Sequence, residues 1–250
     1  MLRVENLKKT FGSFTAVNDV SLEVNQREVF SFLGTNGAGK TTTIKMITGC
    51  LEPSSGHAYI GGFDINKEPL KAKKLLGVIP DRPTLYEKLT GKEFLNFIAS
   101  IHNISAKEKR VNHLLEKYSL MEKADNLIEN FSHGMKQRLM LCSAQIHSPT
   151  LLVIDEPTVG LDPMGINHLK NALKDLCSQG TAIFMSTHSL NFAQEISDKI
   201  AIIKTGNIIA QGPLEEIFNQ TESNVVAGEK NSLESTFLDL IKNDLLLTES

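Results

Sequence analysis

The sequence GTNGAGKT at residues 34–41 decides the fold of this 250-residue chain. It follows the apolar run Val29-Phe30-Ser31-Phe32-Leu33, whose length and composition predict a strand buried on both faces. A helical pattern over residues 40–51 comes next. The pattern G-x4-G-K-[ST] between a buried strand and a helix is typical of a P-loop, which holds phosphate groups. Glycines let backbone N–H groups curl around phosphate oxygens, and the helix N-terminus adds a favourable dipole.

The P-loop therefore predicts a nucleotide site. Lys40 is expected to reach the β- and γ-phosphates, and the Thr41 hydroxyl is expected to bind Mg²⁺. The residues predicted to form this site are Gly34, Asn36, Gly37, Ala38, Gly39, Lys40, Thr41 and Thr42. ATP and Mg²⁺ are the expected cofactors.

A second apolar run has acidic residues at its end. Leu151-Leu152-Val153-Ile154 predicts another buried strand, and Asp155 and Glu156 follow it directly. In open parallel sheets, ligands bind at the carboxyl ends of the strands. Asp155 is expected to hold Mg²⁺, and Glu156 is expected to polarise the attacking water as a general base.

The remaining patterns predict an α/β fold: a P-loop NTPase core with a mostly parallel sheet, an N-terminal antiparallel β subdomain and an inserted α-helical subdomain. Residues 2–7 and 20–24 largely alternate apolar and polar side chains, as antiparallel strands with one solvated face do. Apolar runs at 151–154, 182–185 and 200–203 are separated by helical patterns, which indicates βαβ units. Within the helical part, an amphipathic face is predicted from the spacing of Phe94, Phe97, Ile98 and Ile101.

Composition excludes several classes of protein. With 26 Lys+Arg, 29 Asp+Glu and 41% hydrophobic residues, the chain is neither disordered nor a basic nucleic-acid binder by bulk charge. Its longest uncharged run, residues 176–194, is too polar for a spanning helix. The first twelve residues lack the apolar segment of a secretory signal. The three widely spaced cysteines are expected to be reduced thiols (Cys50, Cys142 and Cys177).

One further stretch identifies a narrower class of P-loop protein. It is Phe131-Ser132-His133-Gly134-Met135-Lys136-Gln137-Arg138. It resembles the signature motif of the ATP-binding cassette (ABC) family, usually written LSGGQ. Three other stretches are similar to further motifs of that family, at the expected places. Residues 160–163 (GLDP) resemble its D-loop, residues 186–188 (STH) its switch-histidine loop, and Phe11-Gly12 its aromatic adenine-stacking loop. The resemblance covers residues 2–217.

The resemblance implies a role for each of these residues. Two cassettes of the family pack head to tail, so that the γ-phosphate of ATP in the other subunit would meet Ser132, His133, Gly134 and Met135. Phe11 would stack on adenine, and Asp162 would belong to the D-loop. His188 would sense the γ-phosphate and help to hold Glu156 and water. The family's glutamine loop falls near residues 78–83, where Asp81 replaces Gln, and Asp81 is assigned to the metal site.

The signature stretch departs from the family pattern at three positions. Phe131, His133 and Met135 stand where the family has Leu, Gly and Gln. A side chain in place of glycine restricts the backbone, so the contact to ATP across the dimer is expected to differ in strength.

The resemblance also implies the domain organisation. Residues 1–217 would form one ABC ATPase domain, with the helical subdomain inserted at about 82–148. Residues 218–250 would form a C-terminal tail with a short amphipathic helix, marked by Leu233, Phe237, Leu240 and Ile241.

As a member of this family, the chain would be the ATP-hydrolysing subunit of a transporter. Its expected partners are a second ABC ATPase subunit, in a homodimer or a heterodimer, and a separate integral membrane permease, with no nucleic acid. It would lie in the cytoplasm, peripheral on the cytoplasmic face of the membrane. Residues 81–90 are similar to the corresponding loop of multidrug- and bacteriocin-resistance-type cassettes, and the short tail leaves little room for a regulatory domain. Both features favour the export type.

Two other functions are considered. A soluble ABC-type ATPase without a membrane partner, of the translation or DNA-repair type, usually fuses two cassettes or carries long inserts, and this chain has neither. A nucleotide-binding module without turnover would not need the combination of Lys40, Asp155, Glu156 and His188.

Overall fold

A computed structural model describes residues 1–82, 85–219, 233–238 and 240. Its strands are β1 Leu2–Phe11, β2 Phe14–Val24, β3 Val29–Leu33, β4 Ser55–Ile60, β5 Phe63–Asp64, β6 Leu76–Ile79, β7 Leu151–Asp155, β8 Ala182–Thr187, β9 Lys199–Lys204 and β10 Asn207–Pro213. Its helices are α1 Lys40–Ile47, α2 Pro69–Lys74, α3 Gly91–Ile101, α4 Lys107–Lys117, α5 His133–Gln145, α6 Pro163–Ser178, α7 Leu190–Ile196 and α8 Leu214–Asn219.

The central sheet has the strand order β10-β9-β3-β8-β7-β6, with β10 antiparallel and the other strands parallel. Strands β3, β7 and β8 are buried along their whole length, because helices or the second sheet cover both faces. In the register of the sheet Leu33 pairs with Thr187, and Asp155 pairs with Ser186. The residues that follow β3, β7 and β8 therefore emerge at one edge of the sheet.

The second sheet is antiparallel and has the order β2-β1-β4-β5. Its inward side chains share one apolar core with α1 and with the side of the central sheet that carries Phe30, Phe32 and Phe184. The rings of Phe30 and Phe184 stack with centroids 5.8 Å apart. The mixed α/β architecture predicted from the sequence is confirmed, including the mainly parallel sheet and the N-terminal antiparallel sheet.

Helices α3, α4 and α5 cover the other face of the central sheet through a second apolar core. Helix α3 begins with a capping box, in which Thr90 accepts a hydrogen bond from the Glu93 N–H and Glu93 accepts one from the Thr90 N–H. Its predicted apolar face is partly wrong. The buried side includes Phe94, whereas Phe97 and Ile101 are exposed.

Several element boundaries differ from the sequence prediction. Helix α1 ends at Ile47 rather than at residue 51, because Gly49 adopts a left-handed conformation with φ 68°. Helix α5 begins at His133, because the Ser132 hydroxyl caps it. The sequence patterns did not predict β5, β6 or α2.

At the C-terminal end of the described chain, Leu233 and Phe237 are buried against a small core that includes Ala193 and Ile217. Ile241, assigned to the same helix from the sequence, lies outside the described residues. The three cysteines are free. Among the described residues, none of the helices combines the length and the apolar character needed to cross a bilayer.

Candidate functional site

The P-loop lies between β3 and α1, and two of its glycines are required by close packing. A Cβ atom on Gly34 would lie 2.5 Å from the Ile203 carbonyl oxygen, and one on Gly39 would lie 2.6 Å from the Ala16 carbonyl oxygen. Gly39 also has φ 111°, a conformation that glycine adopts readily. The loop is therefore pressed between β9 and β2, with its backbone held close to the start of α1.

Lys40 is the first residue of α1, and its side chain folds back into the loop. Its ammonium donates to the carbonyl oxygens of Gly34 at 2.7 Å and Thr35 at 3.2 Å. It also lies 3.3 Å from Glu156 Oε1, and both side chains are largely buried. A desolvated ammonium at this position can be compensated by any anion that enters the loop.

Asp155 ends strand β7 and is almost fully buried. Its carboxylate accepts a hydrogen bond from the Ser186 hydroxyl, which the parallel register of β7 and β8 places directly beside it. The sequence indicates for Ser186 only a place in a loop motif, and this contact could not be read from it. The contact fixes one oxygen of Asp155 and so leaves the other for a ligand.

Glu156, the next residue, turns towards the P-loop and has φ 50°, in the left-handed region. This backbone conformation is uncommon for a residue other than glycine. The Glu156 carboxylate accepts hydrogen bonds from His188, at 2.7 Å from ring atom Nδ1 and 3.2 Å from the backbone N–H. One carboxylate thus connects Lys40 on α1 with His188 after β8.

A cavity of about 380 Å³ opens over the P-loop. The predicted residues that line it are Asn36, Gly37, Gly39, Lys40, Thr41, Thr42, Asp81 and Glu156. Gly34 and Ala38 are buried beneath the loop, and Gly34 contributes its carbonyl to Lys40. Asp81 follows β6 and reaches the cavity with a partly exposed carboxylate. Asp81 thus shares this cavity with Thr41, and it shares an adjoining groove with Asp155.

Two phenylalanines lie at the hairpin between β1 and β2, and the predicted residue Phe11 is not among those that line this cavity. Phe11 and Phe14 face each other across the two-residue turn that joins β1 to β2. Their exposed fractions, 51% and 63%, are high for large apolar side chains. Phe14 lines the cavity, and the Lys9 ammonium lies 5.3 Å from the Phe11 ring. Sequence reasoning assigned only Phe11. The signal for Phe14 is its position directly opposite Phe11, which puts both rings on one face of the hairpin.

The signature residues lie at the start of α5. The Ser132 hydroxyl accepts from the Met135 N–H at 3.3 Å, and Met135 packs partly into the core. Ser132, His133 and Gly134 line a second cavity of about 490 Å³ but not the cavity over the P-loop. His133 in addition lines a groove of about 500 Å³ that leads to Glu156 and Asp81.

Asp162 caps the N-terminus of α6, where its carboxylate accepts from the Gly165 N–H at 2.6 Å. It lines the same cavity as Ser132 and Gly134. The predicted site residues therefore fall into two groups within one chain. One group surrounds the P-loop, and the other combines the signature residues with the D-loop.

The first group has the components of a phosphate-transfer site. Backbone N–H groups and an ammonium can bind phosphate oxygens, and carboxylates stand beside them at the carboxyl edge of the sheet. A carboxylate that is held by an imidazole and lies at the open end of this cavity can orient a water molecule.

Comparison with known proteins identifies the family of the chain. The profile of the ABC transporter family matches residues 17–159. The chain is 41% identical over 214 residues to the linearmycin resistance ATP-binding protein LnrL of Bacillus subtilis (strain 168), covering 85% of this chain and 69% of that protein. It is 35% identical over 225 residues to the lantibiotic transport ATP-binding protein SrtF of Streptococcus pyogenes, covering 88% of this chain and 96% of that protein.

Among solved structures, an ATP-binding subunit of an ABC transporter superposes with a TM-score of 0.87 at 33% identity. The superposition covers 96% of this chain and 99% of that structure. Sequence, fold and the residues around the P-loop agree, and the chain therefore belongs to the ABC transporter family, as an ATP-binding subunit with ATPase activity.

Proposed function

We propose that this chain powers the export of an antimicrobial compound. In this proposal it works at the cytoplasmic face of a membrane, as one of two ATPase subunits attached to a separate permease. The observation that carries the proposal is that Lys40 and His188 contact opposite oxygens of the Glu156 carboxylate, which lines the cavity over the P-loop. These three groups come from three different elements, and together they can bind a phosphate chain and activate water.

For hydrolysis we assign the following roles. Lys40 binds the β- and γ-phosphates, replacing its contacts to the loop carbonyls and to Glu156. Glu156 accepts the proton of the attacking water, and His188 keeps its carboxylate in place. Phe11 and Phe14 hold the base at the hairpin between β1 and β2, because aromatic rings stack well on bases.

The residues present also fit a magnesium ion. Thr41, Asp81 and Asp155 offer a hydroxyl and two carboxylates, and Mg²⁺ prefers oxygen ligands. The described residues contain no cluster of three or more His, Cys, Asp or Glu side chains that could hold a metal ion. When bound, Mg²⁺ would neutralise charge on the phosphates. Asp155, fixed by Ser186, would orient its ligand oxygen.

The separation of the two groups of site residues supports a head-to-tail dimer. Ser132 and Gly134 do not line the cavity that holds the P-loop of their own chain. The first turn of α5 is nevertheless open: a Cβ atom on Gly134 would contact nothing within 4 Å. A helix N-terminus with free N–H groups attracts phosphate, so we assign Ser132 and Gly134 to the ATP of a second subunit. His133 and Met135 shape that turn, and Asp162 lies beside it.

An exposed apolar patch supports a permease partner. Tyr86, Phe97 and Ile101 lie on the helical region, with exposed fractions of 58%, 44% and 59%. The Tyr86 and Phe97 rings meet edge to face at 5.8 Å, so these side chains form one surface. Clustered exposed apolar side chains mark protein–protein contact sites. We assign this patch to the membrane subunit.

The names of the relatives support the direction of transport. They include a linearmycin resistance protein, a lantibiotic transport protein and a bacitracin transport protein, each described as an ATP-binding protein. Resistance to an antimicrobial compound is achieved when the compound is moved out of the membrane or the cell. We therefore assign export rather than import.

The test is co-purification of the tagged chain from detergent-solubilised membranes of its own host. We expect a polytopic membrane protein to co-purify with it, and Phe97→Asp combined with Ile101→Asp to abolish the association without changing nucleotide binding. Leu70→Asp is the matched control, because Leu70 is an exposed apolar residue on α2, outside the patch. Co-sedimentation with ribosomes or DNA, with no membrane protein bound, would support the soluble ABC-type ATPase instead.

A further inference from the structure

His133 occupies the first position of α5, where the signature motif of the family has glycine. Its ring turns towards the segment that follows Glu156. Ring atom Nε2 lies 3.2 Å from the Val159 carbonyl oxygen, and because a carbonyl can only accept, Nε2 carries the proton. The side chain thus joins the signature turn to the D-loop segment within the same chain.

Gly160, next to Val159, leaves space for the His133 ring because it has no side chain. A Cβ atom on Gly160 would lie 2.8 Å from His133 Nε2 and 3.2 Å from two ring carbons. Gly160 also has φ 74°, which glycine tolerates and other residues rarely adopt. The imidazole therefore packs flat against a backbone position that has no room for a side chain.

A second contact, one turn along α5, reaches the same segment. Gln137 donates a hydrogen bond from Nε2 to the Pro157 carbonyl oxygen. Residues four apart lie on one face of a helix, so His133 and Gln137 bind the segment 157–160 at two points. This segment follows Glu156 directly, and Glu156 is itself bonded to His188.

We propose that His133 is a positioning residue that links the two ATP sites of the dimer. When Ser132 and Gly134 receive the γ-phosphate of one ATP, the first turn of α5 is held in place. His133 and Gln137 then hold residues 157–160, which sets the carboxylate of Glu156 for the other ATP. Each site thereby responds to occupancy of its partner. This inference rests on the proposed head-to-tail dimer.

A glycine at position 133 would leave one of the two attachments, the Gln137 contact, and would free the segment around Gly160. The backbone N–H groups at the start of α5 would still bind phosphate. The His133 ring is instead directed at the Val159 carbonyl, so its contact with the D-loop segment is distinct from the phosphate contacts of the backbone N–H groups.

The experiment measures ATP turnover against ATP concentration in the complete transporter, for the wild type and for His133→Ala, His133→Gly and His133→Gln. We expect the wild type to be cooperative. The Ala and Gly variants should lose cooperativity, with a Hill coefficient near 1 and a several-fold lower kcat. Gln keeps an N–H donor and should restore most of both. His113→Ala, which removes an exposed histidine on α4 away from both groups of site residues, is the matched control and should behave as wild type.

A double-mutant cycle adds a readout that loss of folding does not produce. Gly160→Ala should be more damaging with His133 present than in the His133→Ala background, because the added methyl group meets the ring. Wild type without any ATP turnover would refute the proposed function. Non-cooperative wild-type turnover, unchanged cooperativity in His133→Ala, or equal damage by Gly160→Ala in both backgrounds would overturn the inference alone.

Discussion

At the scale of single residues, substitution of Lys40 is expected to have the largest effect on ATP turnover. Lys40→Ala is expected to abolish turnover and to weaken ATP binding by about 10- to 100-fold, because hydrogen bonds to charged groups contribute about 1.5–3 kcal/mol. The substitution also leaves Glu156 buried without its ammonium partner. Phosphate release and a fluorescent ATP analogue measure the two effects. Lys45→Ala, an exposed lysine on the same helix, serves as the control. Turnover within twofold of wild type in Lys40→Ala would contradict the assignment.

The two phenylalanines at the hairpin between β1 and β2 give a second residue-scale prediction. Phe11→Ala and Phe14→Ala should each weaken ATP binding by about 5- to 100-fold, since stacking of a base on an aromatic ring contributes about 1–3 kcal/mol. Inorganic triphosphate has no base, so its affinity should stay unchanged in both variants. Competition of ATP and of triphosphate with a fluorescent nucleotide separates the two effects. An equal loss for both ligands would mean that the rings support the loop rather than the base.

At the scale of elements, the ends of α3 and α5 meet in a pair of histidines. The rings of His102 and His147 stack with centroids 3.9 Å apart, and His147 Nε2 lies 3.1 Å from the Leu76 carbonyl oxygen. Burial lowers the pKa of His147 to about 4, helped by the neighbouring His102 and by the Arg110 charge. Burial also lowers the pKa of His102. Both rings therefore favour the neutral form in the folded chain.

A pH dependence of stability follows from this pair. The unfolded chain binds a proton at His147 near pH 6.5, whereas the folded chain binds it near pH 4. Stability should therefore fall as the pH drops below 6.5, by about 2 kcal/mol at pH 5 for this one group. Urea unfolding at pH 7.5 and pH 5 measures the loss, which should be smaller in His147→Gln. Exposed His113 provides the control in His113→Gln. An equal loss in wild type and His147→Gln would contradict the prediction.

The elements predicted from the sequence are those whose pattern depends on burial alone. The apolar runs of β3, β7, β8 and β9 are buried on both faces and were predicted nearly to the residue. Strand β6 was missed because it is short and contains Gly77. That glycine serves packing, since a Cβ atom there would lie 2.5 Å from the Ala144 carbonyl oxygen of α5. Periodicity also could not predict that Phe97 and Ile101 lie outside the buried face of α3.

The site residues that belong to sequence motifs could be predicted from the sequence. The P-loop, Asp155, Glu156 and His188 were assigned from sequence. In the structure Glu156 lines both the cavity over the P-loop and the adjoining groove that Asp155 and His188 line. The contacts of Ser186 and Phe14 could not be predicted, because they depend on strand register and on which face of a hairpin a ring occupies. The path from His133 to Gly160 depends on tertiary contact between α5 and the D-loop segment.

At the scale of the whole molecule, Ser132 and Gly134 line a different cavity from Lys40 and Thr41, which makes a prediction about assembly. Glu156→Gln should bind ATP without hydrolysing it and should accumulate a dimer. Light scattering in ATP should report twice the 27.6 kDa of the chain, with the membrane subunit added if the isolated chain does not pair. Adding Ser132→Arg to Glu156→Gln should return the monomer, because a bulky cation would block the first turn of α5. A Glu156→Gln chain that stays monomeric in both settings would refute the head-to-tail arrangement.

The Lys40 ammonium is paired with the Glu156 carboxylate, so an anion can bind the ammonium only by replacing that carboxylate. An incoming anion must displace a carboxylate that the fold holds in place, and a tethered group competes at an effective concentration of the order of millimolar. A small monovalent anion such as chloride would gain only the ammonium contact in exchange. A chain of phosphates gains the ammonium, the loop N–H groups and the helix dipole together. The pair therefore favours binding of a polyvalent anion over a monovalent one. Binding of the nucleotide to Lys40 also frees the Glu156 carboxylate from the lysine.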